Sequence, residues 1–240
     1  MIASMHIADV GKPAALRLIR TGLDPAEVPG ARYAALTTAA PLGGGLLPRP
    51  SFGRVGLIAA WEDDRALDGF LAGHPVAEQL AHGWSARLEP KRIVGVWPGV
   101  PLDLDREEPM DDEEPCAALT LGRLRLTQTL RFLRASAAAE QLATTDPALL
   151  ASTGLAKPPL VATFSLWRST AAMSAYSLGR AGREHLAAVK AHGAKPFHHE
   201  SAFVRFRPYA VRGLWDGRNP LAFAQQGDVD SPLLATGKAD

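Results

Sequence analysis

Apolar positions along this chain follow two spacings in turn, every second residue and then every third or fourth. The clearest passage spans 160–209. Leu160-Val161-Ala162-Thr163-Phe164-Ser165-Leu166-Trp167 reads as an apolar strand. A helix follows from Ser169-Thr170, carrying Met173, Tyr176, Leu178, His185 and Val189 toward His192-Gly193. Ala202-Phe203-Val204-Arg205-Phe206-Arg207 then alternates as a closing strand. Upstream, residues 2–10 read as a strand and 12–20 as a short helix, ended by Gly22 and the turn at Asp24-Pro25. Strands are expected at 33–38 and 54–61. A helix opens at Asp63-Asp64, where carboxylates suit its dipole, breaks at Gly73-His74-Pro75 and restarts through Val76 and Leu80 to stop at Gly83. Residues 84–97 alternate as one long strand or a hairpin. Residues 116–126 read as a strand, Thr127 opens a helix through Leu130, Phe132 and Leu133, and an Ala-rich stretch leads back to Leu160.

The two halves line up as units. Trp61 and Trp167 each end the strand before a second helix, and Trp97 and Trp215 each lie near the close of a half. Strand–helix units with antiparallel returns predict an α+β fold of tandem ferredoxin-like modules, which can pack into a pseudo-dimeric α+β barrel with apolar pockets between sheet and helices. The expected boundaries are 1–100 for the first module, 101–115 for an acidic linker, 116–218 for the second module and 219–240 for a loosely held tail. The linker is dense in carboxylates but lacks the spacing and central glycine of a calcium loop.

Composition narrows the chemistry. The chain has 240 residues, 47% hydrophobic and 21% charged, with a net charge of +1, so charge gives no case for nucleic acid. A single cysteine, Cys116, excludes an intrachain disulfide framework and multi-cysteine metal sites. Neither a signal-peptide pattern nor an apolar run of membrane-spanning length is present, which predicts a cytoplasmic protein. Peripheral membrane contact and a homo-oligomer stay open.

Few residues stand out as chemistry. Leu178, His185 and Val189 share one helix face, which turns His185 inward, either as a packing histidine or as a metal ligand. Arg49, held between Pro48 and Pro50, and Arg168, at a helix start where its charge opposes the dipole, are candidates for an anionic partner, with an ordinary surface arginine the alternative for each. Trp61, Phe164, Trp167, Tyr176 and Phe206 are candidate walls of a substrate pocket, with core packing the alternative for each. His198-His199-Glu200 has the residue types of a metal site, but neighbouring histidines on a strand face opposite ways, and a polar loop before a strand is expected there. His74 and His82 read as structural residues at helix ends. Pro41 to Pro50, with three glycines, reads as a surface loop or pocket lid, since the Lys-Ser/Thr ending of a phosphate loop is missing. Gly-x-Ser-x-Gly is absent, and the acidic run before Cys116 is expected to raise its pKa and oppose thiolate chemistry.

Five segments, in order, resemble the spheroidene monooxygenase family of carotenoid biosynthesis: Val28-Pro29-Gly30-Ala31-Arg32-Tyr33; Pro48-Arg49-Pro50-Ser51-Phe52-Gly53-Arg54-Val55 leading to Ala59-Ala60-Trp61; Ala162-Thr163-Phe164-Ser165-Leu166-Trp167; His185-Leu186-Ala187-Ala188-Val189-Lys190; and Phe203-Val204-Arg205-Phe206-Arg207. The resemblance implies the tandem barrel fold and a heme-dependent monooxygenase acting on a small apolar substrate, with electrons from ferredoxin or a similar donor. It places the iron ligand at His185 and makes Arg49 and Arg168 candidates for the heme propionates. The chain departs from the family pattern at Lys195-Pro196-Phe197-His198-His199-Glu200, where a Gly-Trp-Phe followed by charged residues is expected, so a carotenoid substrate does not follow from the resemblance. The rival readings are another heme chemistry of the barrel superfamily, heme degradation or aldoxime dehydration, and a non-catalytic small-molecule-binding module.

Overall fold

The computed structural model describes residues 1–42, 51–97, 109–178 and 197–222. Its elements are β1 (Ile2–Asp9), α1 (Lys12–Thr21), β2 (Ala31–Ala40), β3 (Arg54–Trp61), α2 (Asp64–Gly73), α3 (Pro75–Leu80), β4 (Trp84–Gly95), β5 (Cys116–Leu124), α4 (Thr129–Thr144), β6 (Leu149–Lys157), β7 (Leu160–Trp167), α5 (Thr170–Leu178) and β8 (His198–Arg212). The strands close into one barrel in the order β1-β3-β2-β6-β7-β5-β8-β4. Within it, β4-β1-β3-β2 and β8-β5-β7-β6 repeat the same antiparallel arrangement, so each half is a ferredoxin-like sheet. The halves join where β2 pairs β6 and β4 pairs β8. Closure leaves no sheet edge exposed. The tandem-module expectation thus holds at the level of architecture.

Period-two alternation sends one face of each strand into the barrel and the other toward helices. Met5, Ile58, Trp84, Leu88, Leu119, Phe164, Val204 and Phe206 belong to the interior core. Residues after β8 plug one barrel end: Trp215 lies 5.0 Å from Trp84 and 6.3 Å from Phe164, and Leu221 is buried beside them. Arg54 pins this plug, donating to Asp9 at 2.8 Å and Asp216 at 2.6 Å. In the expected tail, Pro220 and Leu221 are buried and Ala222 is exposed, and 223–240 lie outside the described residues. Toward the other end is a cavity of about 30 Å³ with wholly apolar lining, including Tyr33, Ile93, Trp97 and Phe206.

On the outside of the first sheet, Leu18, Leu67, Phe70 and Leu80 from α1, α2 and α3 cover Leu36, Val55, Leu57 and Trp61. The helix break at Gly73-His74-Pro75 is a new start: His74 Nδ1 accepts from Val76 N–H at 3.1 Å and Pro75 occupies the first turn. Asp63 likewise caps α2.

Three expectations change. β6 forms in the stretch read as an Ala-rich connector. Leu-Leu-Ala-Ser-Thr-Gly-Leu-Ala-Lys alternates weakly in hydrophobicity, and pairing along β7 and β2 makes it a strand. β8 starts at His198, so His198-His199-Glu200 is strand rather than loop. The acidic segment is tied to the second half: the carbonyls of Asp112 and Glu114 accept from Ala171 N–H at 3.0 Å and Thr170 N–H at 2.9 Å, satisfying the start of α5. Residues 101–108 of that segment lie outside the described residues. Among the described residues, no helix is long and apolar enough to cross a membrane.

Candidate functional site

The strand register superposes the two sheets residue by residue. Ile2, Ser4, His6 and Ala8 of β1 stand opposite Trp61, Ala59, Leu57 and Val55 of β3. Cys116, Ala118, Thr120 and Gly122 of β5 stand opposite Trp167, Ser165, Thr163 and Val161 of β7. The outer face that holds His6, Leu57 and Leu36 in the first sheet thus holds Thr120, Thr163 and Gly154 in the second. Leu57 is fully buried under helices, whereas Thr120 is exposed and Thr163 and Ser165 are half-buried. Large side chains fill the space between sheet and helix in one half. Small and hydroxyl side chains leave a shallow, flat floor in the other.

Aromatic groups bound this floor. At one end Trp167 stacks 4.8 Å from Tyr176, and Met173 packs with Trp167 and Cys116. Trp167 Nε1 donates to Ser165 Oγ at 2.9 Å, which fixes the indole. At the other end the His198 ring lies on Gly122, where a Cβ would come within 2.4 Å of it, so glycine is what lets the imidazole reach the sheet. Phe132 of α4 covers that ring at 5.1 Å. Along the β8 side stand Phe203 and Arg205, opposite Thr120 and Ala118. Burial pushes the Cys116 thiol up to about 11, with Arg205 acting weakly the other way. The thiol is inert as expected, but desolvation rather than the acidic run is the cause. Burial also raises the Tyr176 hydroxyl. Among the described residues, no group of three or more His, Cys, Asp or Glu could hold a metal ion.

The residues singled out in the sequence fall in different places. His185 and Arg49 lie outside the described residues. Arg168 is exposed where β7 ends, its N–H donating to the Ala148 carbonyl at 2.9 Å. Trp167 and Tyr176 line the floor. Phe164 and Phe206 are inside the barrel, on the far side of the sheet, and Trp61 is buried under the first half's helices. The five aromatics therefore do not form one pocket. The signal was in the strand period: Phe164 and Trp167 are three apart and must face opposite ways. Sequence reasoning also missed a buried polar group in the first half. Trp61 Nε1 donates to Ser4 Oγ at 2.9 Å, and His6 Nε2 lies 3.1 Å from the same oxygen. Burial, aided by Arg87, lowers the His6 pKa to about 4, so it stays neutral.

No protein-family model matches the chain. Over 197 residues it is 34% identical to the spheroidene monooxygenase of Rubrivivax gelatinosus, an alignment that covers 79% of this chain and 73% of that protein. It is 26% identical over 188 residues to the spheroidene monooxygenase of Cereibacter sphaeroides, covering 76% of this chain but 57% of that longer protein. Among solved structures it is similar to an aldoxime dehydratase, with a TM-score of 0.55 at 11% identity over 92% of this chain and 86% of that one. At that identity the likeness is one of fold.

Proposed function

This chain belongs to the spheroidene monooxygenase family, and we propose that it is a heme-dependent monooxygenase oxidising a small, apolar, carotenoid-like molecule over the outer face of its second sheet. The observation that carries the reading is the difference between the two sheets. One outer face is filled by side chains, while the other is a flat floor of Ala118, Thr120, Gly122, Thr163 and Ser165 between aromatic walls. These residues fit a broad, planar group. Thr120, Thr163 and Ser165 present short side chains along the floor, between the His198 ring on Gly122 and the Leu42 side chain beside Gly154.

His185 is the proposed iron ligand, supplied by the chain beyond α5. Arg168 and Arg49 are the candidates for the propionates, and electrons come from ferredoxin or a similar donor. Heme, when bound, supplies an iron that takes up those electrons and activates dioxygen for insertion into a C–H bond. The chain's own contribution is positioning and exclusion of water. Trp167, held by Ser165, and Tyr176 close one end of the slot, and the apolar ring of Phe203 flanks it. With its pKa raised, the Tyr176 hydroxyl stays protonated at neutral pH and presents a donor rather than a charge to an apolar substrate.

The test is an absorption spectrum of protein expressed with heme, oxidised and then reduced under CO. A stoichiometric Soret band that shifts with CO is expected, and His185→Ala should abolish it. Full heme occupancy with an unchanged band in that variant would refute the ligand assignment. Incubation with carotenoids, reduced ferredoxin and dioxygen should then yield an oxygenated product.

A further inference from the structure

The register that superposes the sheets also pairs two arginines. Arg87 stands opposite Ser4, and Arg205 stands opposite the matching residue, Ala118. In the first half Arg87 is neutralised twice, by Asp64 and Asp68 one turn apart on α2. In the second half the corresponding helix is α5. Trp61 matches Trp167, so the cap Asp63 matches Ser169, whose hydroxyl accepts from Ala172 N–H at 3.2 Å. Asp64 and Asp68 then match Thr170 and Ser174. Both carboxylates are gone, and the arginine remains.

Arg205 is left without compensation. Its Nε is sealed from solvent with no hydrogen-bond partner, and among the described residues the side chain enters no ion pair. The acids beside it are engaged elsewhere: Glu89 takes Lys91 at 2.9 Å and Arg207 at 2.5 Å, and Glu114 lies 3.9 Å from Arg207. Arg92 faces Arg205 directly across β4 and β8. A buried guanidinium N–H without an acceptor is costly. A guanidinium is also the side chain whose planar fork matches a carboxylate.

We infer that Arg205 binds a carboxylate of the molecule lying on the second floor, in place of the two aspartates that the first half supplies from its own helix. Resting on the heme reading, that carboxylate is a propionate. Arg205, rather than Arg49 or Arg168, is then the main anchor.

The full-length protein is titrated with hemin and with hemin dimethyl ester, which keeps the ring and iron but has no carboxylates, and the Soret band is followed. A charge-assisted hydrogen bond predicts that wild type binds hemin about 10- to 100-fold more tightly than the ester. Arg205→Gln should weaken hemin to near the ester's affinity while leaving the ester unchanged, and Arg205→Lys should recover part of the difference. Ser174→Asp, which copies Asp68, should do the same as Arg205→Gln by occupying the guanidinium, and it leaves Arg205 and its strand intact if the first variant does not fold. Equal binding of hemin and ester by wild type, or an undiminished preference in Ser174→Asp and any folded Arg205→Gln, overturns the assignment and leaves the heme reading standing. No Soret band with either compound in wild type overturns both.

Discussion

The two sheets of this barrel share strand order, register and a tryptophan at the end of the third strand, yet their outer faces have opposite uses. In the first, Leu36, Leu57, Phe70 and Leu80 meet in a dry layer, and the polar groups within it satisfy one another. In the second, the matching strand positions carry Gly154 and Thr163, and the floor stays partly open. The same contrast appears in the charges, where Arg87 has two aspartates and Arg205, among the described residues, has none. Duplication of a module supplies a stable frame. The second copy carries less bulk and fewer counter-charges on its outer face.

The strongest way to break this contrast is to make the second floor copy the first. Thr163→Leu with Gly154→Leu puts back the side chains found at Leu57 and Leu36. Heme uptake should fall by two orders of magnitude or more, read by Soret titration, while the melting temperature holds or rises. The reverse change gains nothing: Leu57→Ala empties a fully buried site and should cost roughly 3 kcal/mol in urea unfolding without creating a heme site.

Acid sharpens the comparison next. His6 is neutral in the folded protein with a pKa near 4, against 6.5 for an unperturbed histidine. The unfolded chain therefore binds the extra proton first as pH falls. Stability from this residue is complete above about pH 6.5 and is lost progressively toward pH 4, by up to roughly 3 kcal/mol. Unfolding measured from pH 7 to 5 should show that loss in wild type and a flatter profile in His6→Gln, and heme affinity at neutral pH should be untouched.

The smallest effect separates two matching hydrogen bonds. Trp61 and Trp167 each donate at 2.9 Å to a serine two strand positions from the tryptophan row. Ser4 is buried and Ser165 is half-buried. Ser4→Ala should cost about 2 kcal/mol because the Trp61 N–H is left unpaired away from water, and Ser165→Ala less than about 1 kcal/mol. Equal costs in thermal unfolding would show that the second floor is as dry as the first.

Much of the frame was readable in advance from local chemistry. The run Arg54-Val55-Gly56-Leu57-Ile58-Ala59-Ala60-Trp61 is a strand by composition alone, and Gly73-His74-Pro75 announces one helix ending and another beginning. β6 escaped because Ala, Ser, Thr and Gly carry little alternation, and the strand exists by virtue of its neighbours. Phe164 and Phe206 share only their aromatic character with Trp167 and Tyr176, and the pleat sends Phe164 and Trp167 to opposite faces.

By itself the sequence determined most of the strands and helices, though not β6 or the start of β8, and that the chain is two related halves, since these follow from spacing, caps and breakers within a few residues. Its serial motifs also carried the likeness to the family. Only the tertiary structure decided which faces are filled and which are open, that Trp215 and Leu221 plug the barrel, and that Arg205 has lost the carboxylates its counterpart keeps. Those outcomes depend on what distant chain lies against a strand. Asp64 and Asp68 are about 20 residues from Arg87, and the absence of their equivalents near Arg205 becomes visible only once register and packing bring the two halves into correspondence.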